Sequence, residues 1–307
     1  MASLRDLRSR ISSVKNTQQV TRAMKMVAAA KLRRAQENIF NTRPFAYKLS
    51  EVIARLKDQL DPTVHPLFQE REDVTNVLLV IVTADRGLAG GFNANVIKRA
   101  EQEIEENYSV HRDEKRLLLM CVGRKGHEHF SRRGYQLVGD FRGTFDKLSF
   151  DTANTIADEA EAGFLESRWD QVHLIYNEFK NTISQNRIVE PYLPIRADRF
   201  LTPVMESELK HLEDEDHAFD NDPIYEPGVR GILDVVVPKY LSYKLWRILL
   251  DSNAAEQGAR MVAMDNATNN ASELLGDLKL KYNRARQDAI TKELIEITSG
   301  ADALEAG

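Results

Sequence analysis

From Leu4 onward, apolar residues recur at alternating steps of three and four: Leu7, Ile11 and Val14, then Ala28, Leu32, Ala35 and Ile39, and finally Ala46, Leu49, Ile53, Leu56 and Leu60. That spacing is the seam of a coiled coil. Gln18, Thr21 and Lys25 interrupt it with polar side chains, while Val20, Met24 and Val27 stand one position away. The pattern predicts that the seam shifts to these three, as a 3.6-residue helix drifts against a 3.5-residue repeat. Pro44 predicts a kink or local break, and "LDPTVHP" (60–66) ends the helix.

The periodicity changes between residues 74 and 200. "VTNVLLVIVTADRG" is a continuous apolar run entering a glycine turn, which predicts a buried strand. The amphipathic "NANVIKRAEQEIEENY" predicts a helix, "KRLLLMCVG" a second strand, and "KGHEHFSRRG" a short helix. After "YQLVGDF" come a helix over "FDTANTIADEAEAGFLESR" and strands over "WDQVHLIYNEF" and "SQNRIVEPYLPI". Strands alternating with helices predict a Rossmann-like α/β domain with a mostly parallel sheet.

Residues 201–230 are acidic and hold Pro203, Pro223, Pro227 and Gly228, which predicts an exposed, partly flexible loop. From Pro238 to about Gly300 the chain again predicts one long helix. Its apolar steps are Leu274, Leu278, Tyr282, Ala285 and Ala289, with a second set at Ile290, Leu294, Ile297 and Ala301. Each terminal helix alone would leave an apolar stripe in water. The economical arrangement pairs them antiparallel, with Ala28, Ala29, Ala30, Ala35, Ala255, Ala259, Ala263 and Ala271 allowing close approach. The expected organisation is an N-terminal coiled-coil helix over 1–60, an α/β domain over 61–237 and a C-terminal coiled-coil helix over 238–307. In "RMVAMDNATNNASELL" (260–275), Asn266, Asn269 and Asn270 then face away from the partner helix.

Composition narrows the function classes. The 307 residues are 42 % hydrophobic and 29 % charged, with a net charge of −5, as in a folded soluble chain. No apolar run is long enough to span a bilayer, and the first residues show no secretory signal. Cys121, the only cysteine, sits in "RLLLMCVG" and reads as a buried structural thiol in a reducing compartment. The net charge hides an asymmetry: residues 1–48 carry eleven Lys and Arg against Asp6 and Glu37. An acidic protein surface, a nucleic acid or an anionic lipid would complement such an arm.

The glycines of "DRGLAGGFN" (85–93) fit neither a dinucleotide fingerprint nor a P-loop, so the stretch reads as a tight turn. "HEH" at 127–129 lacks the spacing of a helical zinc pair. No nucleophile–base pair can be assembled, so no catalytic residue, cofactor or metal is expected. Arg286, Gln287, Ile290, Glu293 and Leu294 share one side of the last helix at 3–4 spacings.

Three stretches together resemble one family. They are "RISSVKNTQQVTRAMKMVAAAKLRRAQ" (10–36), "TADRGLAGGFNANV" (83–96) and "EQGARMVAMDNATNNASELLGDLKLKYNRARQDAITKELIEITSGADAL" (256–304). The chain resembles the gamma subunits of F-type ATP synthases, the rotating central shafts of those machines. The resemblance implies a coiled-coil axle inside a ring of alpha and beta subunits, its C-terminal tip in an apolar bearing. The α/β domain would lie beside the epsilon subunit on the c-ring. The implied role is to couple proton-driven c-ring rotation to the catalytic cycle of the beta sites, with no active site in this chain. Family matches imply a catch with a beta-subunit loop at Arg286, Gln287, Thr291 and Glu293. Arg8, Arg10, Arg22, Lys25, Arg33 and Arg34 would face acidic lever segments of the beta subunits, with Met24 near that zone. Tyr225 and Glu226 would meet the c-ring and epsilon. One copy per complex is implied, peripheral on the cytoplasmic face of a bacterial plasma membrane or its equivalent, and membrane-bound only through the c-ring.

The sequence departs from the family pattern at Ala89, where many members have Cys. It also lacks the paired-cysteine insertion of chloroplast-type relatives, and Asp302 and Glu305 stand in a tail that is usually small and apolar. A stand-alone Rossmann-like enzyme and a basic coiled-coil nucleic-acid binder are the alternatives. The missing fingerprint argues against the first. Positive charges interleaved with the seam, rather than preceding it, argue against the second.

Overall fold

The computed structural model describes residues 4–58, 65–196 and 228–305. These form helix α1 (Leu4–Asp58), a 3-10 turn (Pro66–Phe68), β1 (Val77–Val82), α2 (Phe92–Asn107), α3 (Ser109–Asp113), β2 (Leu117–Val122), α4 (Arg124–Ser131), β3 (Gln136–Leu137), α5 (Phe150–Leu165), β4 (Gln171–Phe179), β5 (Gln185–Leu193) and α6 (Val229–Glu305). The chain divides into two compact units, one of residues 1–29 with 260–307 and one of residues 30–259. The two long helices contribute to both.

The larger unit is built on a five-stranded sheet of order β3-β2-β1-β4-β5. β1 pairs in parallel with β2 and β4, β2 pairs in parallel with β3, and β4 pairs antiparallel with β5. β1 reads VLLVIV and every residue is buried, as a central strand covered on both faces requires. Alternate residues serve opposite faces. Leu78, Val80, Val82, Met120, Leu174 and Tyr176 pack with Ile156, Ala160 and Phe164 of α5 and with Leu241, Leu245 and Ile248 of α6. Val77, Leu79, Ile81, Leu119 and Ile175 pack with Val96, Ala100 and Ile104 of α2 and with Phe130 of α4.

Both long helices run through a proline. α1 passes Pro44 without a break in its helical assignment. α6 begins at Val229, nine residues before Pro238, so residues 229 and 230 belong to the helix rather than the acidic loop. A proline inside a helix costs about 3 kcal/mol. Upstream, Leu233 and Val237 are 2 % and 0 % exposed, and burying two such side chains returns roughly 1.5–3 kcal/mol each. The rest of the acidic loop, 201–227, lies outside the described residues, as do Tyr225 and Glu226.

Candidate functional site

In the smaller unit, α1 and α6 run antiparallel, and their register is set by three polar pairs. Gln18 Nε2 donates to Ser272 Oγ, the Thr21 and Thr268 hydroxyls lie 2.8 Å apart, and Lys25 Nζ lies 2.6 Å from Asp265 Oδ1. Positions rise on one helix as they fall on the other. Leu4, Leu7, Ile11 and Val14 continue the seam on α1 as partly buried positions, and Ala271, Leu275 and Leu278 continue it on α6 as buried ones.

The seam therefore does not shift to Val20 and Val27, although Met24 is half-buried. Val20 and Val27 are each 57 % exposed, while Gln18, Thr21 and Lys25 keep the inward positions and find polar partners across the helix pair. A buried or half-buried polar group is tolerated where a partner satisfies it. Those partners carry a signal in the sequence, since Asp265, Thr268 and Ser272 repeat at the 3–4 spacing of Gln18, Thr21 and Lys25. On α6 the seam residue is Leu275, 8 % exposed, rather than Leu274, which is 40 % exposed. Asn266, Asn269 and Asn270 are exposed as expected, while Thr268 between them turns inward. Among the small residues, Ala28, Ala35, Ala255 and Ala271 are buried but Ala30 is exposed.

The positions implied as contact residues are mostly free surface. Arg8, Arg10, Arg22, Arg33 and Arg34 are exposed along α1, with Arg33 bonded to Glu37 one turn on at 3.1 Å. Met24 is half-buried, and Lys25 leans onto Asp265 with 41 % of its side chain exposed. Arg286, Gln287, Thr291 and Glu293 are exposed, and so are the apolar Ile290, Leu294, Ile295 and Ile297.

In the larger unit, the place where an open α/β sheet would hold a ligand is already filled. Strand order reverses between β1 and β4, and ligands bind such sheets at the carboxyl ends of the strands there. "DRGLAGGFN" leads out of β1, and its Ala89 and Phe92 form a buried cluster with Ala84 and with Ala255 of α6. Asn177 of β4 donates to the Phe92 carbonyl at 3.2 Å. Asp85 accepts backbone N–H bonds from Arg124, Gly143 and Phe145 at 2.7–2.9 Å. The acidic side chain of the turn is thus spent on backbone N–H groups after β2 and β3, and the Asn93 amide on the Ala84 N–H and the Arg86 carbonyl. Gly123 after β2 has φ +96°, and a Cβ there would lie 2.0 Å from the Thr83 carbonyl oxygen, so only glycine fits. Around "HEH", Glu128 meets Lys125 at 3.1 Å and His129 meets Glu101 at 2.8 Å, each in a local ion pair or hydrogen bond. Cys121 is buried, and burial pushes its thiol up to about 12, far from reactive thiolate.

A long antiparallel helix pair with exposed cations is joined in one chain to an α/β sheet whose switch-point crevice is occupied by the chain's own side chains. A family model described as ATP synthase matches residues 3–304, and the chain belongs to that family. The relatives it resembles are gamma chains. It is 58 % identical over 305 residues to the ATP synthase gamma chain of Salinibacter ruber, covering 99 % of both chains. It is 49 % identical to that of Chlorobaculum tepidum, covering 99 % of this chain and 100 % of the relative. Among solved structures, a chain of the Tetrahymena thermophila mitochondrial ATP synthase central stalk and c-ring matches with a TM-score of 0.55 and 27 % identity. That match covers 81 % of this chain and 99 % of the other. A chain of the Euglena gracilis mitochondrial ATP synthase matches in fold with a TM-score of 0.63 and 21 % identity, over 99 % of this chain and 95 % of the other.

Proposed function

We propose that this chain is the gamma subunit of a rotary F-type ATP synthase. Its two long helices form the shaft that turns with the c-ring and drives the beta catalytic sites through binding, synthesis and release. The observation that carries this reading is the 58 % identity to a gamma chain over 99 % of both chains, a span that takes in both helices and the sheet. We place the α/β part between about residues 60 and 238, with the helical arms outside it. Its partners are the alpha and beta subunits, the epsilon subunit and the c-ring, with one copy per complex. No described helix is long and apolar enough to cross a membrane. Association with the cytoplasmic face of an energy-transducing membrane therefore runs through the complex.

The geometry suits a sliding surface. A shaft that bound one stator subunit much better than the next would stall, since 1.4 kcal/mol is already tenfold in occupancy. The outward Asn266, Asn269 and Asn270 offer small, exchangeable contacts. The exposed cations Arg8, Arg10, Arg22, Arg33 and Arg34 can be guided by acidic beta-subunit segments over a Debye length without rigid docking. Lys25 would join them through its exposed portion and Met24 from the flank. Arg286, Gln287, Thr291 and Glu293 would form the catch, with Tyr225 and Glu226 at the c-ring end.

Co-expression with alpha and beta subunits should yield a stable complex that hydrolyses ATP. A purified chain that turned over nucleotide alone, or that failed to join the ring, would overturn the reading.

A further inference from the structure

Helix α6 carries two cations on the face it buries against the sheet. Lys244 and Arg247 have side chains 8 % and 4 % exposed, among the fully packed Leu241, Leu245 and Ile248. Both reach Glu190 on β5: Lys244 Nζ lies 2.8 Å from Oε1 and Arg247 3.6 Å from Oε2. The Tyr176 hydroxyl of β4 donates to the same carboxylate at 2.8 Å, and Lys244 donates to the Pro191 carbonyl at 3.0 Å. Arg247 continues along the helix to Asp251 at 3.9 Å. Burial alone would raise the Glu190 carboxyl, yet Lys244 and Arg247 together hold it below its ordinary range, so the cluster is ionic.

Stability does not explain such a cluster. A buried ion pair replaced by apolar side chains of similar size often leaves a fold as stable or more so. The surrounding leucines already seat α6 on the sheet. Apolar contact is non-directional, so it resists separation better than it resists a turn of the helix about its own axis or a slip along it. Charge-assisted hydrogen bonds are directional, and those from Lys244 to Glu190 and Pro191 cross from helix to sheet, with the Arg247–Glu190 ion pair beside them.

We propose that Glu190, Lys244 and Arg247 form a keyed joint through which the sheet and α6 exchange torque, the two cations acting as positioning residues that fix the rotational setting of the helix. This rests on the shaft reading above.

The test uses the assembled, membrane-reconstituted synthase. Glu190→Leu with Lys244→Met and Tyr176→Phe removes one charge of each sign and leaves Arg247 to Asp251. The variant chain should melt no lower than the parent and hydrolyse ATP at a similar rate. Protons pumped per ATP should fall about threefold or more, the scale of a coupling lost along a packed network. Lys244→Arg, which keeps the charge and its donors, should pump as the parent does. Should the apolar variant not assemble, Glu190→Gln with Lys244→Gln is read by the same ratio. Unchanged pumping per ATP in an assembled variant overturns the joint. Failure of both variants to fold also overturns it, because the cluster would then serve stability. A parent complex that hydrolyses but never pumps would instead sink the shaft reading, and this inference with it.

Discussion

Several side chains here take their chemistry from where the fold puts them. His173 on β4 lies beside Tyr108, ring centroids 5.7 Å apart, and burial lowers its pKa to about 4. The unfolded chain takes up this proton below the ordinary value near 6.5, while the folded chain stays neutral until about pH 4. The imidazole therefore favours the folded state fully above pH 6.5, and that contribution drains away as pH falls from there to about 4. The loss amounts to on the order of 3 kcal/mol. Chemical denaturation of His173→Gln and parent at pH 7.5 and pH 4.5 should show the parent losing more stability than the variant. Parallel losses would refute the assignment. Nothing in "DQVHLIY" marked this histidine as half-buried and held neutral, because strand periodicity says which face a residue takes and not how wet that face is. Cys121 was legible, since its neighbours on both sides are large and apolar.

At the scale of elements, the coiled-coil period was read correctly through most of α1, and Leu7, Ile11, Val14, Ala28, Leu32, Ala35 and Ile39 all turn inward. The error came where hydrophobicity and geometry disagreed. The pattern favoured Val20, Met24 and Val27, of which only Met24 is half-buried, since a helix cannot change its seam for one turn without twisting its partner. The polar trio stayed and recruited Asp265, Thr268 and Ser272. The Lys25–Asp265 pair is over 40 % exposed on both sides and so is worth about 0.2–1 kcal/mol at most. Its main contribution is register. Thr21→Cys with Thr268→Cys should accordingly close a disulfide under mild oxidation, since the two hydroxyls are 2.8 Å apart. Thr21→Cys with the outward Asn270→Cys should not. Gel mobility with and without reductant distinguishes them, and the reverse result would mean a different register. The antiparallel β5 was named as a strand but not given a direction, because its orientation depends on the short hairpin from β4.

For the whole molecule, the proposed contact residues belong to surfaces that no core explains. Ile290, Leu294 and Ile297 are 46–68 % exposed, an apolar stripe that no other described residue covers. On the shaft reading, Arg286→Ala and Met24→Lys should each leave assembly and ATP hydrolysis near parental while pumping per ATP falls several-fold, as loss of a contact worth 1–2 kcal/mol implies. Inverted vesicles assayed for ATP-driven acidification give the ratio directly. Full pumping in both variants would refute their assigned roles. The alternatives weighed from sequence lose their ground here. The nucleotide crevice is filled by Ala89, Phe92 and Ala255, and gamma chains match the whole length rather than a DNA-binding segment.

The sequence alone determined the element types, the pairing of the two terminal helices and the family, because periodicity and long motifs are local properties of the chain. Tertiary structure decided what local pattern cannot hold. It set which polar residues the helix pair would keep inside, where α6 begins despite Pro238, and that Lys244 and Arg247 lie under the surface against Glu190. Each depends on a partner more than 50 residues away, and the free energy of placing a charge or a proline is settled only when that partner arrives.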